Sequence, residues 1–105
     1  MNNILPEEAE KFIKSGEVRV IDVRTPAEFA GGHIPGAQNI DIYNSAFLEK
    51  IKALDRNVSY VINCQSGGRS SKATAMMQEE GFLKAKNLEG GIMAWRKAGL
   101  PVEGK

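Results

Sequence analysis

One cysteine, Cys64, and one histidine, His33, are all the thiol and imidazole in this chain of 105 residues. A single thiol closes no internal disulfide and makes no Cys-x-x-Cys redox pair. With one histidine beside it, a zinc centre is not expected, and no motif asks for a cofactor. No apolar run approaches the roughly 20 residues a membrane span needs, so no membrane partner is expected. Neither sign of charge is in excess. The 14 Lys+Arg against 13 Asp+Glu leave a net charge of +1, which is no nucleic-acid footprint. Residues Met1 to Glu8 have neither the basic start nor the apolar stretch of a secretory signal. A cytoplasmic location is the expectation.

The remaining composition is ordinary for a soluble globular protein, 42% hydrophobic and 26% charged. One domain over residues 1–105, with one core, is expected at this length. Pro6 to Ser15 reads as a helix, with Pro6 at its first position, Glu7 and Glu8 at the positive end of its dipole, and Gly16 as its stop. Val18 to Val23 is a β-branched run and reads as a mostly buried strand. Thr25-Pro26-Ala27-Glu28 has the spacing of a capping box and opens a short helix ended by Gly31-Gly32. His33 to Ala37 is a turn, and Gln38 to Ile42 a short strand. Asn44 or Ser45 caps a helix with Phe47, Leu48, Ile51 and Leu54 on one stripe. Val58 to Asn63 is a strand, and Ser70 to Glu80 a helix turning Ala73, Met76 and Met77 inward. Ala85 to Leu88 is a strand, Gly90-Gly91 a turn, and Ile92 to Ala98 a helix closed by Gly99 and Pro101. Ile4 or Val102 is placed to add an edge strand. Alternating strands and helices predict a parallel sheet with helices on both faces, with sites beyond the carboxyl ends of its strands.

Cys64 stands at one such end. It is followed by Gln65-Ser66-Gly67-Gly68-Arg69-Ser70. Singly, each part has an ordinary reading: a small buried hydrophobe, a turn, a surface charge. In this order they describe a thiol at the mouth of an anion cradle. A sulfur nucleophile works as the thiolate, whose ordinary pKa of roughly 8.5 leaves it mostly protonated at neutral pH. Converging loop N–H groups, the unpaired amides of the following helix and the charge of Arg69 would all lower it. No histidine base is then needed. His33 reads as a turn residue bonded to backbone, and Asp22 with Arg24 as a structural pair that Glu28 could join. Trp95, with Ile92 and Leu88, reads as core.

Three stretches resemble the rhodanese, or thiosulfate sulfurtransferase, family. They are Ile21 to Phe29 with Gly32 to Ile40, the loop Cys64 to Ser70, and Leu88 to Trp95 with Gly99 to Val102. They span nearly the whole chain in the family's order. The resemblance implies a five-stranded parallel sheet in the single-domain form. It also implies that Cys64 takes a sulfane sulfur from thiosulfate or another small anionic donor and holds it as a persulfide. The sulfur then passes to cyanide, a thiol or a protein acceptor. The amides of Gln65 to Ser70 would stabilise the persulfide, and Arg69 would close the loop and line the anion site. Many members carry a basic residue directly after the cysteine, where this chain has Gln65, so thiosulfate is expected to be a poor donor.

Two alternatives stand beside this reading. A phosphatase of the Cdc25-like kind, or an arsenate reductase, uses Cys-x5-Arg to encircle a tetrahedral oxyanion, whereas Cys64 to Arg69 is Cys-x4-Arg. A non-catalytic or sulfur-relay module would work by docking a partner.

Overall fold

The computed structural model describes residues 2–104. Five parallel strands lie in the order β1-β5-β4-β2-β3. These are β1 (Asn3–Ile4), β2 (Val18–Asp22), β3 (Gln38–Asn39), β4 (Ser59–Asn63) and β5 (Ala85–Leu88). The helices between them are α1 (Pro6–Ser15), α2 (Pro26–Ala30), α3 (Phe47–Lys52), α4 (Gly68–Glu79) and α5 (Gly91–Lys97). The expected edge strand comes from Ile4, paired with Leu88. Val102 does not supply it, since the tail instead makes an antiparallel bridge between His33 and Glu103.

The alternation of side chains along the central strands divides the core in two. Ile21 and Val23 of the β2 segment, with Tyr60, Ile62 and Cys64 of the β4 segment, face Phe47 and Ile51 of α3 and Ala73 and Met77 of α4. Val20 and Val61 face the other way, onto Ala9 of α1 and Ile92 and Trp95 of α5. Full burial of a side chain such as Ile62 contributes about 2 kcal/mol, which is why the strands carry apolar groups on both faces. Trp95 is core, as expected, with its indole N–H donating to the Pro101 carbonyl at 2.7 Å. Among the described residues no helix is long and apolar enough to cross a membrane.

Several boundaries differ from the sequence reading. α4 begins at Gly68 rather than Ser70, because Gly67 turns with φ of 112° and Ser71 N–H already bonds to its carbonyl at 3.0 Å. α3 has Ala46 at its N-cap with no side-chain cap, while the Asn44 side chain accepts from Ala46 N–H in the preceding turn. Leu48 is exposed rather than inward, and Leu54 lies past the helix end but still packs on the core. β3 stops at Asn39, although Ile40 N–H continues to the Asp22 carbonyl at 2.9 Å.

Candidate active site

Parallel β4 ends at Asn63, and the next residue is the thiol. The side chain of Cys64 falls on the α4 face and is 1% exposed. From there the chain curls through Gln65, Ser66 and Gly67 into α4, whose first turn comes back onto the sulfur. Gly67 N–H donates to Cys64 Sγ at 3.1 Å, and Ser70 Oγ lies 3.3 Å from it. Burial by itself pushes the Cys64 thiol up. The Ser70 hydroxyl and the N–H groups of Ser70, Gly67 and Ser66 outweigh burial and hold the thiol below its ordinary value.

α5 braces the loop from behind. Ile92 N–H donates to the Cys64 carbonyl at 2.9 Å, and Met93 N–H to the Gln65 carbonyl at 3.1 Å. These are amides of a helix first turn, which have no partner within their own helix. The contact requires Gly91. Its φ is +63°, and a Cβ there would sit 2.5 Å from the Gln65 oxygen and 2.6 Å from that of Cys64. From the sequence, Gly90-Gly91 is a turn within a stretch that resembles the family, with no part in the site. The strand-turn-helix pattern carried a hint, since it places a second helix start beside the cysteine loop.

Arg69 is held from the side. Its guanidinium pairs with both carboxylate oxygens of Glu28, at 2.8 and 3.0 Å, and lies 5.9 Å from the centre of the Tyr43 ring. The Arg69 hydrogen bond holds the Glu28 carboxyl down at about 2, helped by the backbone N–H and hydroxyl of Thr25. Glu28 also completes the expected capping box, accepting from Thr25 N–H at 3.1 Å. It therefore does not join Asp22 and Arg24. Those two form their own buried pair, with Arg24 Nη2 at 2.7 Å from Asp22 Oδ2 and also bonded to the Gly32 carbonyl. α2 presents Glu28 to the loop side, where Arg69 takes both of its oxygens. His33 behaves as expected: Nδ1 is 2.9 Å from the Phe29 carbonyl, and its ring stacks on Phe29.

Gln65, Ser66 and Gly68 are exposed around the buried sulfur. Beside them opens a cleft of about 300 Å³ lined by Ile42, Tyr43, Gly68, Arg69 and Lys72. A larger cleft, about 500 Å³, lies at the opposite end of the sheet between Gly16 to Arg19, Asn57 to Ser59 and Lys84. The smaller one is the candidate substrate site, because Gly68 and Arg69 of the cysteine loop form part of its wall. The structure thus gathers all seven residues expected from the sequence, Cys64 through Ser70, into one turn. Glu28, Tyr43 and Gly91 are the additions.

Comparison with known proteins agrees with this geometry. The model of the rhodanese-like domain family matches residues 5–98. The chain is similar to the chloroplastic thiosulfate sulfurtransferase 16 of Arabidopsis thaliana, 40% identical over 95 residues covering 81% of this chain and 79% of that protein. It is also similar to the thiosulfate sulfurtransferase GlpE of Pseudomonas aeruginosa strain LESB58, 37% identical over 89% of this chain and 82% of that protein. Among solved structures, a rhodanese-related protein of Thermoplasma volcanium superposes with a TM-score of 0.88 at 34% identity, covering 98% of each chain. The human single-domain sulfurtransferase TSTD1 superposes with a TM-score of 0.79 at 27% identity, covering 92% of this chain and 96% of that one. The parallel sheet, the thiol at the end of its central strand and these matches together make the chain a member of the rhodanese family and a rhodanese-type transferase.

Proposed function

We propose that this protein moves a sulfane sulfur from an anionic donor, thiosulfate or a small persulfide, to a thiol or cyanide acceptor through a persulfide on Cys64. The observation that carries the reading is the Gly67 N–H aimed at Cys64 Sγ at 3.1 Å, inside a loop of Cys-x4-Arg length. The Cys64 thiolate attacks the outer sulfur of thiosulfate. An S–S bond forms to Sγ, the bond to the sulfonate sulfur breaks, and its electron pair leaves with sulfite. The acceptor nucleophile then attacks the terminal sulfur, and Sγ departs as the thiolate. Thiocyanate or a new persulfide is released, and ping-pong kinetics follow.

Cys64 is the catalytic residue in this scheme. The loop from Gln65 to Ser70 is the substrate-binding element, and its amides hold the negative terminal sulfur. A protein thiol fits as a further acceptor, and a cytoplasmic setting, where thiols stay reduced, suits the chemistry. The phosphatase reading is less well supported. Its ring would be one residue longer, and its arginine would have to face the oxyanion. Here Arg69 is engaged with Glu28.

Intact mass after incubation with thiosulfate, and separately with a small-molecule persulfide, tests the proposal. A gain of one sulfur atom, lost in Cys64→Ala, is the expected result. No gain from either donor overturns it.

A further inference from the structure

One hydrogen-bonded chain near the nucleophile takes no part in the steps above. Ser70 Oγ has a single proton and three neighbours able to accept it. These are Asn87 Oδ1 at 2.5 Å, Cys64 Sγ at 3.3 Å and the Gly67 carbonyl at 3.3 Å. Asn87 Oδ1, the nearest of the three, competes with Sγ for it. Asn87 sits on β5, 4% exposed, and its Nδ2 donates to Asn3 Oδ1 on β1 at 3.2 Å. That bond turns the amide oxygen toward Ser70. A neutral thiol is compatible with this arrangement, since its S–H can donate to Ser70 Oγ. A thiolate or persulfide anion has only lone pairs and needs the Ser70 proton for itself.

We propose that Asn87 is a positioning residue that competes with Cys64 for the single Ser70 proton, and thereby sets the pH at which the nucleophile ionises. The consequence for catalysis rests on the sulfur-transfer reading, but the property itself does not. The charged and titratable groups turned toward this corner are Arg69 and Lys72 of α4, Glu28 of α2 and Tyr43 of the segment after β3. None of them hydrogen-bonds to Ser70 or Asn87, and β1 brings no charge. The Ser70 hydroxyl already helps hold the thiol low, so freeing it from Asn87 acts in the same direction.

The test is the rate of Cys64 alkylation by iodoacetamide against pH. The thiolate carbon–sulfur bond forms as iodide leaves, and the midpoint reports ionisation whether or not sulfur transfer occurs. Asn87→Leu and Asn87→Ala are expected to lower the midpoint by about one pH unit, the worth of a modest hydrogen bond to a charged group. Ser70→Ala is expected to raise it, and adding Asn87→Leu to Ser70→Ala to change nothing further. Asn87→Asp keeps the shape but offers only acceptors, so it should raise the midpoint more when Ser70 is present than when it is alanine. An unchanged or raised midpoint in folded Asn87→Leu or Asn87→Ala overturns the proposal, as does an equal shift without Ser70. Should both of those variants unfold, the shape-conserving Asn87→Asp comparison decides. Absence of mass gain in the wild-type protein would count against sulfur transfer alone.

Discussion

Glu28 grips Arg69 as a two-pronged fork, Oε1 to Nη1 at 2.8 Å and Oε2 to Nη2 at 3.0 Å, and so ties α2 to the first turn of α4. Arg69 is therefore neutralised at one side before any donor arrives. Its charge still reaches Cys64 directly, and it also closes the loop whose amides face the sulfur. The pair stands partly in water, with side chains 24% and 33% exposed, which limits its worth. Glu28→Gln is expected to lower unfolding free energy by about 1 kcal/mol at neutral pH, read from urea denaturation.

The same pair has a defined pH signature. Glu28 is depressed from 4.5 to about 2 in the folded protein. A depressed carboxyl stabilises the fold fully above its unfolded value and loses that contribution as pH falls through the folded one. The stability gap between wild type and Glu28→Gln should thus be flat from pH 8 to about 5 and shrink between 4.5 and about 2. A gap that persists unchanged at about pH 2 would detach the ion pair from stability.

Gln65 is exposed at the first position of the loop, where it adds no charge for an anionic donor. Gln65→Lys is expected to raise kcat/KM for thiosulfate several-fold, chiefly through KM, and to lose that gain in high salt, as exposed electrostatic attraction does. With an uncharged sulfane-sulfur donor, such as a neutral organic trisulfide, the variant should match the wild type. Equal improvement with both donors would locate the effect in the thiol rather than in donor binding.

The strands and the placing of the thiol at a strand end were legible because they rest on local signals. Val18 to Val23 and Val58 to Asn63 are apolar on both faces, and the cysteine follows the second run directly. What escaped depends on contacts between distant segments. Glu28 lies 41 residues from Arg69, and the partners near it in sequence, Thr25 by capping spacing and the Asp22–Arg24 pair, hid this bond. Leu48 matched a helical stripe, but it sits at the margin of the face that Phe47 and Ile51 bury and stays exposed. Asn87 carries no local signal within the strand Ala85 to Leu88, and only the fold brings it to Ser70, 17 residues away.

Asn63, immediately before Cys64, is fully buried, and neither Nδ2 nor Oδ1 has a partner among the described residues. By strand alternation its side chain shares the face of Val61, in the α1 and α5 core. A buried amide left unpaired costs about 1–3 kcal/mol, and an apolar group of the same shape removes that cost. Asn63→Leu is therefore expected to raise the melting temperature by about 5 °C, corresponding to about 1 kcal/mol in a domain of this size. A lower melting temperature would show that the amide is satisfied and holds the strand end in place.

Gly91 and Gly36 separate backbone strain from contact with the loop. Both have positive φ, +63° and +81°, so alanine at either is strained by roughly 1–2 kcal/mol. A Cβ at Gly36 meets nothing within 4 Å, whereas one at Gly91 would press on the carbonyl oxygens of Cys64 and Gln65. Gly36→Ala should therefore cost stability and leave the rate of sulfur transfer as it is. Gly91→Ala must push the loop off α5, breaking the bonds from Ile92 and Met93 N–H that hold it. The loop amides would then lose their aim at the sulfur, and displacements on this scale cost about 10²-fold in rate. Cyanide-dependent thiocyanate formation by the two variants, each checked for folding by circular dichroism, gives the comparison. Equal activity in both would mean that the brace from α5 does not set the geometry of the loop.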